Sequence, residues 1–416
     1  MQACTMKSLT QDAASAPDGA QRAPQRVASS AVTAADSADS LNPAELQHYQ
    51  RQLLLPEVGL EGQRALKRGR VLVVGAGGLG SPVLLYLAAA GVGTLGIVEH
   101  DRVELSNLHR QVLFDVHAVG LPKAEAARRR LVALNPNIKV VVHAEKLVPD
   151  NAAALVRDYD VVVDATDNFT ARYLINEACV RAGKPNVSAS ILRFEGQLSV
   201  FVPGQGPCYR CLFPEPPPPH LAPSCAEAGV LGALPGTIGA LQATEAIKLL
   251  LGMKSPLIGR LLTFDAIHMQ FQTLEVARDS GCPVCAHVHG ADGGALARAP
   301  ARASAPVIEI DVEALRARLI DTSTSQRPFL LDVRHEDEFR ESHITGATQI
   351  ALDRLVALLD DLPRGVPIVC VCQRGARSRM AAQMLLELGF LDVLSLEGGM
   401  DAWHSVQCSE RQCATA

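Results

Sequence analysis

Three glycines and a carboxylate are the first residues of this chain whose spacing suits chemistry. The apolar run that begins at Val71 ends in the pattern Gly75-x-Gly77-x-x-Gly80, and Glu99 stands where an acid should close the next strand. Glycines let the backbone turn tightly around a phosphate, a following helix offers free N–H groups, and the carboxylate can accept ribose hydroxyls. Taken alone, this nucleotide site favours a dinucleotide dehydrogenase.

Polar residues further along the chain suit the cleavage of a triphosphate better. Asn107 and Arg110 follow the acidic strand end, and Lys123 lies near the start of the next helix. Asp167 and Asn168 come at the carboxyl end of a later strand, where such sheets bind ligands. Attack at the α-phosphate builds charge that two cations and a Mg²⁺ ion on Asp167 can neutralise. We therefore predict adenylyl transfer from ATP, with a NAD-dependent redox enzyme carrying a zinc domain as the alternative.

Two Cys-x-x-Cys pairs indicate a metal. Cys208 with Cys211, and Cys282 with Cys285, have the spacing that lets two thiolates bind one ion from a tight turn. Four sulfurs predict a tetrahedral zinc site that leaves no position for water, so this zinc would be structural. Spacing alone leaves open whether the two distant pairs form one site.

A fourth group is centred on Cys372, between an apolar strand-like run and a helix start. Successive N–H groups, the helix dipole, Arg374 and Arg377 would all stabilise a thiolate or a persulfide there. Cys370 lies two residues upstream on the same face of the strand and should be covered by packing. We therefore predict a reactive thiol in a cationic loop that prefers an anionic sulfur donor such as thiosulfate.

The elements that must position these groups alternate between strand-like and helix-like runs from Val71 onward. This order predicts an α/β fold with a Rossmann-like, doubly wound parallel sheet that carries the zinc site, followed by a smaller α/β domain. The predicted divisions are a disordered tail (1–40), a nucleotide domain (41–285), a flexible linker (286–305), a second domain (306–408) and a short tail (409–416).

Composition excludes several classes of protein. The chain has 416 residues, of which 48% are hydrophobic, and a formal charge of -5, which gives no basic surface for nucleic acid. No apolar run reaches the roughly 20 residues that span a membrane, and the N-terminus lacks the apolar core of a signal peptide. We therefore expect a cytoplasmic enzyme, in which the 11 cysteines are thiols or metal ligands. No role is predicted for Cys4, Cys179, Cys370, Cys408 and Cys413.

The motifs between Leu41 and Cys285 resemble the MoeB/ThiF-type adenylyltransferases, which are related to ubiquitin-activating enzymes. The segments that carry the resemblance are Gly75–Gly80, Glu104–Gln111, Asp164–Asn168, Cys208–Cys211 and Gly236–Glu245. It implies that ATP adenylates the C-terminal glycine of a ubiquitin-like sulfur-carrier protein ending in Gly-Gly. It also implies that both cysteine pairs bind one zinc ion.

Site residues follow from this resemblance. Glu99 stands where the family usually has Asp; it would hold the nucleotide with Gly78, and Asp167 would hold magnesium. Arg51 matches an arginine that reaches the ATP of a neighbouring protomer, so a homodimer is implied, and Cys225 matches a cysteine that takes up the activated carrier. The full predicted nucleotide site comprises Gly75, Gly77, Gly78, Gly80, Glu99, Ser106, Asn107, Leu108, His109, Arg110, Lys123, Asp167 and Asn168.

The C-terminal part resembles a rhodanese sulfurtransferase domain. Its motifs are Leu331–Arg334, Ser342–Ala347, Val369–Arg379 and Gly398–Trp403. The resemblance implies that Cys372 carries a persulfide, loaded by thiosulfate or a cysteine desulfurase persulfide.

Together the two domains predict a carrier thiocarboxylate as product, with Cys225 resolving an acyl disulfide. Molybdopterin, thiamine, cysteine and tRNA-thiolation pathways all use related proteins, so the carrier stays open. The rivals are an adenylating relative that acts on modified tRNA and a non-catalytic redox-sensing scaffold.

Overall fold

A computed structural model describes residues 40–217, 228–288, 307–320 and 327–413, with side chains to residue 406. The predicted N-terminal tail up to residue 39, Cys225, Cys4 and most of the predicted linker lie outside the described residues. None of the described helices is long and apolar enough to cross a membrane.

The first domain is built on an eight-stranded sheet with the order β3-β2-β1-β4-β5-β6-β7-β8. Strands β1 to β5 pair in parallel, whereas β5 to β8 form an antiparallel meander. The predicted fold class is confirmed, although the alternation of strands and helices did not predict the antiparallel edge. The strands are β1 (Arg70–Val74), β2 (Thr94–Val98), β3 (Lys139–His143), β4 (Val161–Asp164), β5 (Asn186–Leu192), β6 (Glu195–Phe201), β7 (Arg260–Asp265) and β8 (Gln270–Glu275).

Helices cover this sheet and bury its central strands. Strand β1 lies between β2 and β4, so the chain reverses direction across the sheet there and the carboxyl ends of these three strands meet. This reversal creates the crevice in which such sheets bind ligands. The helices are α1 (Pro43–His48), α2 (Gln50–Leu53), α3 (Gly59–Arg68), α4 (Gly80–Ala89), α5 (Lys123–Leu134), α6 (Pro149–Arg157), α7 (Phe169–Ala182), α8 (Tyr209–Leu212) and α9 (Leu234–Leu250).

The second domain contains a five-stranded parallel sheet with the order β11-β10-β12-β13-β9. Its central strand β12 is fully buried and delivers Cys372 to the carboxyl edge of the sheet. The elements are β9 (Ile308–Ile310), α10 (Val312–Ile320), β10 (Phe329–Asp332), α11 (Glu336–Glu341), β11 (Thr348–Gln349), β12 (Ile368–Val371), α12 (Ala376–Glu387), β13 (Val393–Leu396) and α13 (Gly399–Cys413).

The first helices of the chain pack against this second domain. Leu46 and Leu53, both fully buried, belong to the same apolar cluster as Leu355 of the second domain. Polar contacts border the cluster: the Gln50 side chain donates to the Leu352 carbonyl at 2.9 Å. The described residues from 40 onward therefore belong to one compact unit.

An ion pair closes the same contact. The Arg64 guanidinium lies 2.5 Å from the Glu387 carboxylate, and both side chains are largely buried. Burial raises the pKa of Glu387 above its ordinary value, although Arg64 opposes the shift. Because removing one partner of a buried pair leaves a charge uncompensated, loss of either residue would weaken this contact.

Candidate functional site

The glycine turn after β1 can form only with glycine at two of its positions. Gly75 has a φ of +95°, and a Cβ atom there would lie 2.9 Å from the Ala165 carbonyl oxygen. A Cβ atom on Gly80 would lie 2.0 Å from the Gly75 carbonyl oxygen. The turn therefore brings the start of α4 and the β4 loop into direct contact.

Glu99 fixes the shape of this turn. One oxygen of its carboxylate accepts the Ala76 N–H at 3.0 Å, and the other accepts the N–H groups of His100 and Asp101 at 2.8 and 2.9 Å. The carboxylate is buried but still lines the crevice. A carboxylate has about four lone-pair sites, so acceptor capacity remains for ribose hydroxyls.

A cavity of about 590 Å³ opens at the carboxyl ends of the central strands. This volume lies in the range of pockets that hold a nucleotide-sized ligand. The predicted residues that line it are Gly75, Gly77, Gly78, Glu99, Arg110, Lys123, Asp167 and Asn168. Gly80, Ser106, Asn107, Leu108 and His109 do not line it.

Asn107 and Ser106 instead build the turn that carries Arg110. The Asn107 side chain accepts the Glu104 N–H at 3.1 Å, and the Ser106 hydroxyl donates to the Glu104 carboxylate at 3.1 Å. Arg110 then donates to the Ser106 carbonyl at 3.2 Å. These residues position a cation at the cavity without facing it.

Asp167 is held at the cavity by a buried neighbour that the sequence analysis did not single out. Asp164 is fully buried and accepts the Thr166 N–H and hydroxyl at 3.1 and 2.6 Å, and the Ser188 hydroxyl at 2.9 Å. On the other side, Arg172 donates to the Thr166 carbonyl at 2.9 Å. The sequence contained one sign of this role: Asp164 ends a buried strand, two residues before Thr166, whose hydroxyl and N–H it can accept.

Asn168 has a structural task as well as a place at the cavity. Its side-chain oxygen accepts the Ala171 N–H at 2.9 Å and so caps the N-terminus of α7. The cap leaves Asp167 just before the helix start. One protein carboxylate beside phosphate oxygens is a donor set that suits Mg²⁺, which keeps several waters.

Several further charged residues at the cavity were missed, among them Asp101 and Lys146. Asp101 lies 3.3 Å from the Lys123 ammonium group, whose side chain is largely buried. Lys146 also lines the cavity. Lys123 therefore has a carboxylate partner within its own chain.

The two cysteine pairs meet in one cluster. The sulfur atoms of Cys208 and Cys282 lie 3.7 Å apart, those of Cys211 and Cys285 lie 3.4 Å apart, and all four lie within 4.8 Å of one another. Zn–S bonds of about 2.3 Å in a tetrahedron require sulfur atoms about 3.8 Å apart. The residues thus fit a closed four-sulfur zinc site.

Neighbouring side chains hold the two cysteine turns in place. The Asn176 amide lies 3.6 Å from the Cys208 sulfur, and its carbonyl oxygen accepts the Tyr209 N–H at 2.9 Å. Arg278 donates to the carbonyls of Cys285 and Val288. Such outer contacts orient the ligands of a metal site.

In the second domain, the loop between β12 and α12 curls around the Cys372 sulfur. The Gly375 N–H donates to this sulfur at 3.1 Å, and the Ser378 hydroxyl lies 3.4 Å from it. Gly375 itself has a φ of +92°, a conformation that favours glycine. By contrast, burial raises the pKa of the Cys370 thiol, so that thiol stays protonated.

Arg51 does not line the nucleotide cavity of its own chain. Its guanidinium lies 4.0 Å from the Asp353 carboxylate of the second domain, and its side chain is 79% exposed. An exposed pair at this distance contributes little stability. Arg51 is therefore free to contact another molecule.

Comparison with known proteins agrees with this geometry. The ThiF family model matches residues 49–284, and the rhodanese-like domain model matches residues 311–406. A probable adenylyltransferase/sulfurtransferase MoeZ from Mycobacterium tuberculosis is 44% identical over 376 residues, which is 88% of this chain and 95% of the relative. The sulfur carrier protein adenylyltransferase of Thermus thermophilus is 57% identical over 246 residues, which is 58% of this chain and 91% of the relative.

An insect relative and a solved structure also match. Adenylyltransferase and sulfurtransferase MOCS3 from Aedes aegypti is 41% identical over 393 residues and covers 88% of this chain and 89% of its own. The crystal structure of E. coli MccB with ATP matches with a TM-score of 0.52 and 24% identity, over 57% of this chain and 74% of that one. The latter likeness concerns the fold alone.

The nucleotide crevice and the cysteine loop define a two-domain transferase that uses ATP. The chain belongs to the ThiF family and carries a C-terminal rhodanese-like domain. It is an adenylyltransferase and a sulfurtransferase.

Proposed function

We propose that the chain adenylates the C-terminal glycine of a ubiquitin-like sulfur-carrier protein and then converts it to a thiocarboxylate. The observation that carries this proposal is the presence, in one compact unit, of an ATP-sized crevice lined by Arg110, Lys123 and Asp167 and of the Cys372 sulfur, which accepts the Gly375 N–H. The proposed reaction occurs in the cytoplasm.

In the first step the carrier carboxylate attacks the α-phosphate of ATP, and pyrophosphate leaves. Arg110 and Lys123 would neutralise the charge that develops on the phosphates, and Asp167 would hold Mg²⁺. Magnesium would supply further charge stabilisation. The acyl-adenylate that results has AMP as a good leaving group, unlike the free carboxylate.

In the second step a persulfide on Cys372 attacks the acyl carbon and displaces AMP. The product is an acyl disulfide between the carrier and Cys372. The Cys225 thiolate then attacks the Cys372 sulfur, so that a Cys225–Cys372 disulfide forms and the carrier leaves as a thiocarboxylate. We propose thiosulfate or a cysteine desulfurase persulfide as the class of donor that loads Cys372.

Two features of the proposal concern assembly. The four-cysteine cluster would hold a structural zinc ion, and the chain would form a homodimer in which the exposed Arg51 reaches the ATP of the partner subunit. The carrier would belong to molybdopterin, thiamine, cysteine or tRNA-thiolation metabolism.

Mass spectrometry of candidate carriers tests this function. Each carrier is incubated with the enzyme, Mg-ATP and a sulfur donor, and we expect one sulfur atom to replace one oxygen atom at the C-terminal glycine. The exchange adds about 16 Da, and omission of ATP should abolish it. A carrier that is adenylated but never gains sulfur would contradict the second step alone.

Removal of zinc is expected to destabilise the first domain. Cys211→Ser should lower the zinc content below one ion per chain and reduce Tm by roughly 6 °C, if about 3 kcal/mol of stabilisation is lost. Elemental analysis and calorimetry measure both effects. The matched control is Cys179→Ala, a buried cysteine outside the cluster; equal zinc content in Cys211→Ser and the control would refute the site.

A further inference from the structure

The arginines of the Cys372 loop are paired with carboxylates. The Arg377 guanidinium donates two parallel hydrogen bonds to the Glu338 carboxylate, at 2.7 and 2.5 Å. Arg374 lies 3.4 Å from Asp401. The loop is therefore much less cationic than its sequence suggests.

Glu338 belongs to another element, which holds it in place. It lies in the first turn of α11, where its carboxylate also accepts the His335 N–H at 3.1 Å and completes a capping box. Arg377 lowers the pKa of Glu338 to about 2, so the carboxylate is ionised at any physiological pH. Its negative charge is thus a permanent part of the loop environment.

Of the two ion pairs, the one between Arg377 and Glu338 is the less exposed to solvent. Arg377 interacts electrostatically with Cys372 as well as with Glu338, and it is only 29% exposed. Arg374 is 85% exposed, and an exposed pair is largely screened by solvent. A bidentate, half-buried arginine–carboxylate pair keeps its geometry and its charge compensation.

We infer that Glu338 sets the sulfur-donor preference of Cys372, by occupying Arg377 and disfavouring small dianions such as thiosulfate relative to an alkyl persulfide. The inference rests on the proposed sulfur transfer and identifies its donor class. This preference for a persulfide is the opposite of the preference for thiosulfate that the charges of Arg374 and Arg377 alone predict. Glu338 acts on the donor through Arg377 and is a positioning residue.

The two loading reactions differ in the charge that must enter the loop. With a persulfide, the Cys372 thiolate attacks the outer sulfur of R–S–SH, the S–S bond breaks, and R–S⁻ leaves while Cys372 keeps the S–SH group. With thiosulfate, the same attack releases sulfite, so a dianion must approach the loop. The Glu338 carboxylate repels a dianion more strongly than it repels a donor with at most one negative charge, because the electrostatic energy is proportional to the charge of the donor.

Replacement of Glu338 by glutamine tests the inference. Glutamine can still complete the capping box, so the helix start is retained. The full-length protein is loaded with thiosulfate or with the persulfide of 2-mercaptoethanol, and the added sulfur on Cys372 is followed by mass spectrometry. We expect Glu338→Gln to raise the second-order rate constant for loading by thiosulfate about tenfold and to leave that for the persulfide within about twofold.

Glu336→Gln is the matched control. Glu336 lies on the same helix and pairs with Arg340, so its replacement removes the same charge without freeing Arg377. The control should keep the wild-type ratio of the two donors. Asp401→Asn is a second variant, for which we expect a smaller rise with thiosulfate because Arg374 is exposed.

The possible results separate a failure of this inference from a failure of the proposed sulfur transfer. An unchanged or lowered thiosulfate rate in Glu338→Gln, with the protein folded by calorimetry, would overturn the inference, and so would an equal rise in Glu336→Gln. If wild-type Cys372 gains sulfur from neither donor, the proposed sulfur transfer itself fails.

Discussion

Replacing Asp167 by asparagine is expected to lower ATP–pyrophosphate exchange about 100-fold or more. The substitution keeps the size of the side chain but removes the negative charge that would hold Mg²⁺ at the phosphates. Loss of one preorganised electrostatic contact in a transition state commonly costs a factor of this order. Exchange measured with labelled pyrophosphate reports the first step alone, without a sulfur donor.

The magnesium dependence of this variant distinguishes a ligand from a structural residue. A weakened magnesium site should require a higher Mg²⁺ concentration for half-maximal exchange. Asp158→Asn, which changes an exposed carboxylate outside the cavity, should leave both quantities unaltered. Wild-type exchange in Asp167→Asn would contradict the proposed role of this carboxylate.

Replacing Cys372 by alanine is expected to abolish formation of the thiocarboxylate while exchange stays at the wild-type level. The sulfur atom of Cys372 is the group that would carry the persulfide, so its removal leaves no acceptor for the donor. The loss should reach the detection limit of the mass spectrometric assay, well over 100-fold. Exchange stays because the nucleotide crevice lies in the other domain.

Cys370→Ala provides the control on the same strand. This thiol is fully buried, and its raised pKa makes it a poor nucleophile. Its removal should cost some stability through a small cavity but leave sulfur transfer intact. Equal loss in both variants would indicate that damage to β12, rather than removal of the reactive sulfur, causes the defect.

The sequence was sufficient where a task depends on residues close together in the chain. The glycine turn is an example, because Gly75 adopts a positive φ and Gly80 packs against the Gly75 carbonyl, a geometry set within six consecutive residues. The same holds for the Cys372 loop, whose sulfur accepts a hydrogen bond from Gly375, three residues away. In both cases the spacing of neighbouring residues in the sequence is enough to predict the local backbone geometry.

Sequence reasoning failed where the partner comes from a distant segment. The positive charge of Arg377 was predicted, but the compensating Glu338 lies 39 residues away on another helix. Asn107 was predicted to belong to the nucleotide site, whereas its side chain accepts the Glu104 N–H within the turn that carries Arg110. A polar side chain next to a site can either face the ligand or support a residue that does, and its type alone does not distinguish the two.

The contact between the first helices and the second domain has a consequence for stability. Leu46 and Leu53 are buried in a cluster that also contains Leu355, so separating the domains would expose apolar surface on both. The two domains should therefore unfold together, and each should stabilise the other against unfolding. Because a ligand that binds only the folded state stabilises it, occupancy of the nucleotide crevice should also protect the sulfurtransferase domain against heat.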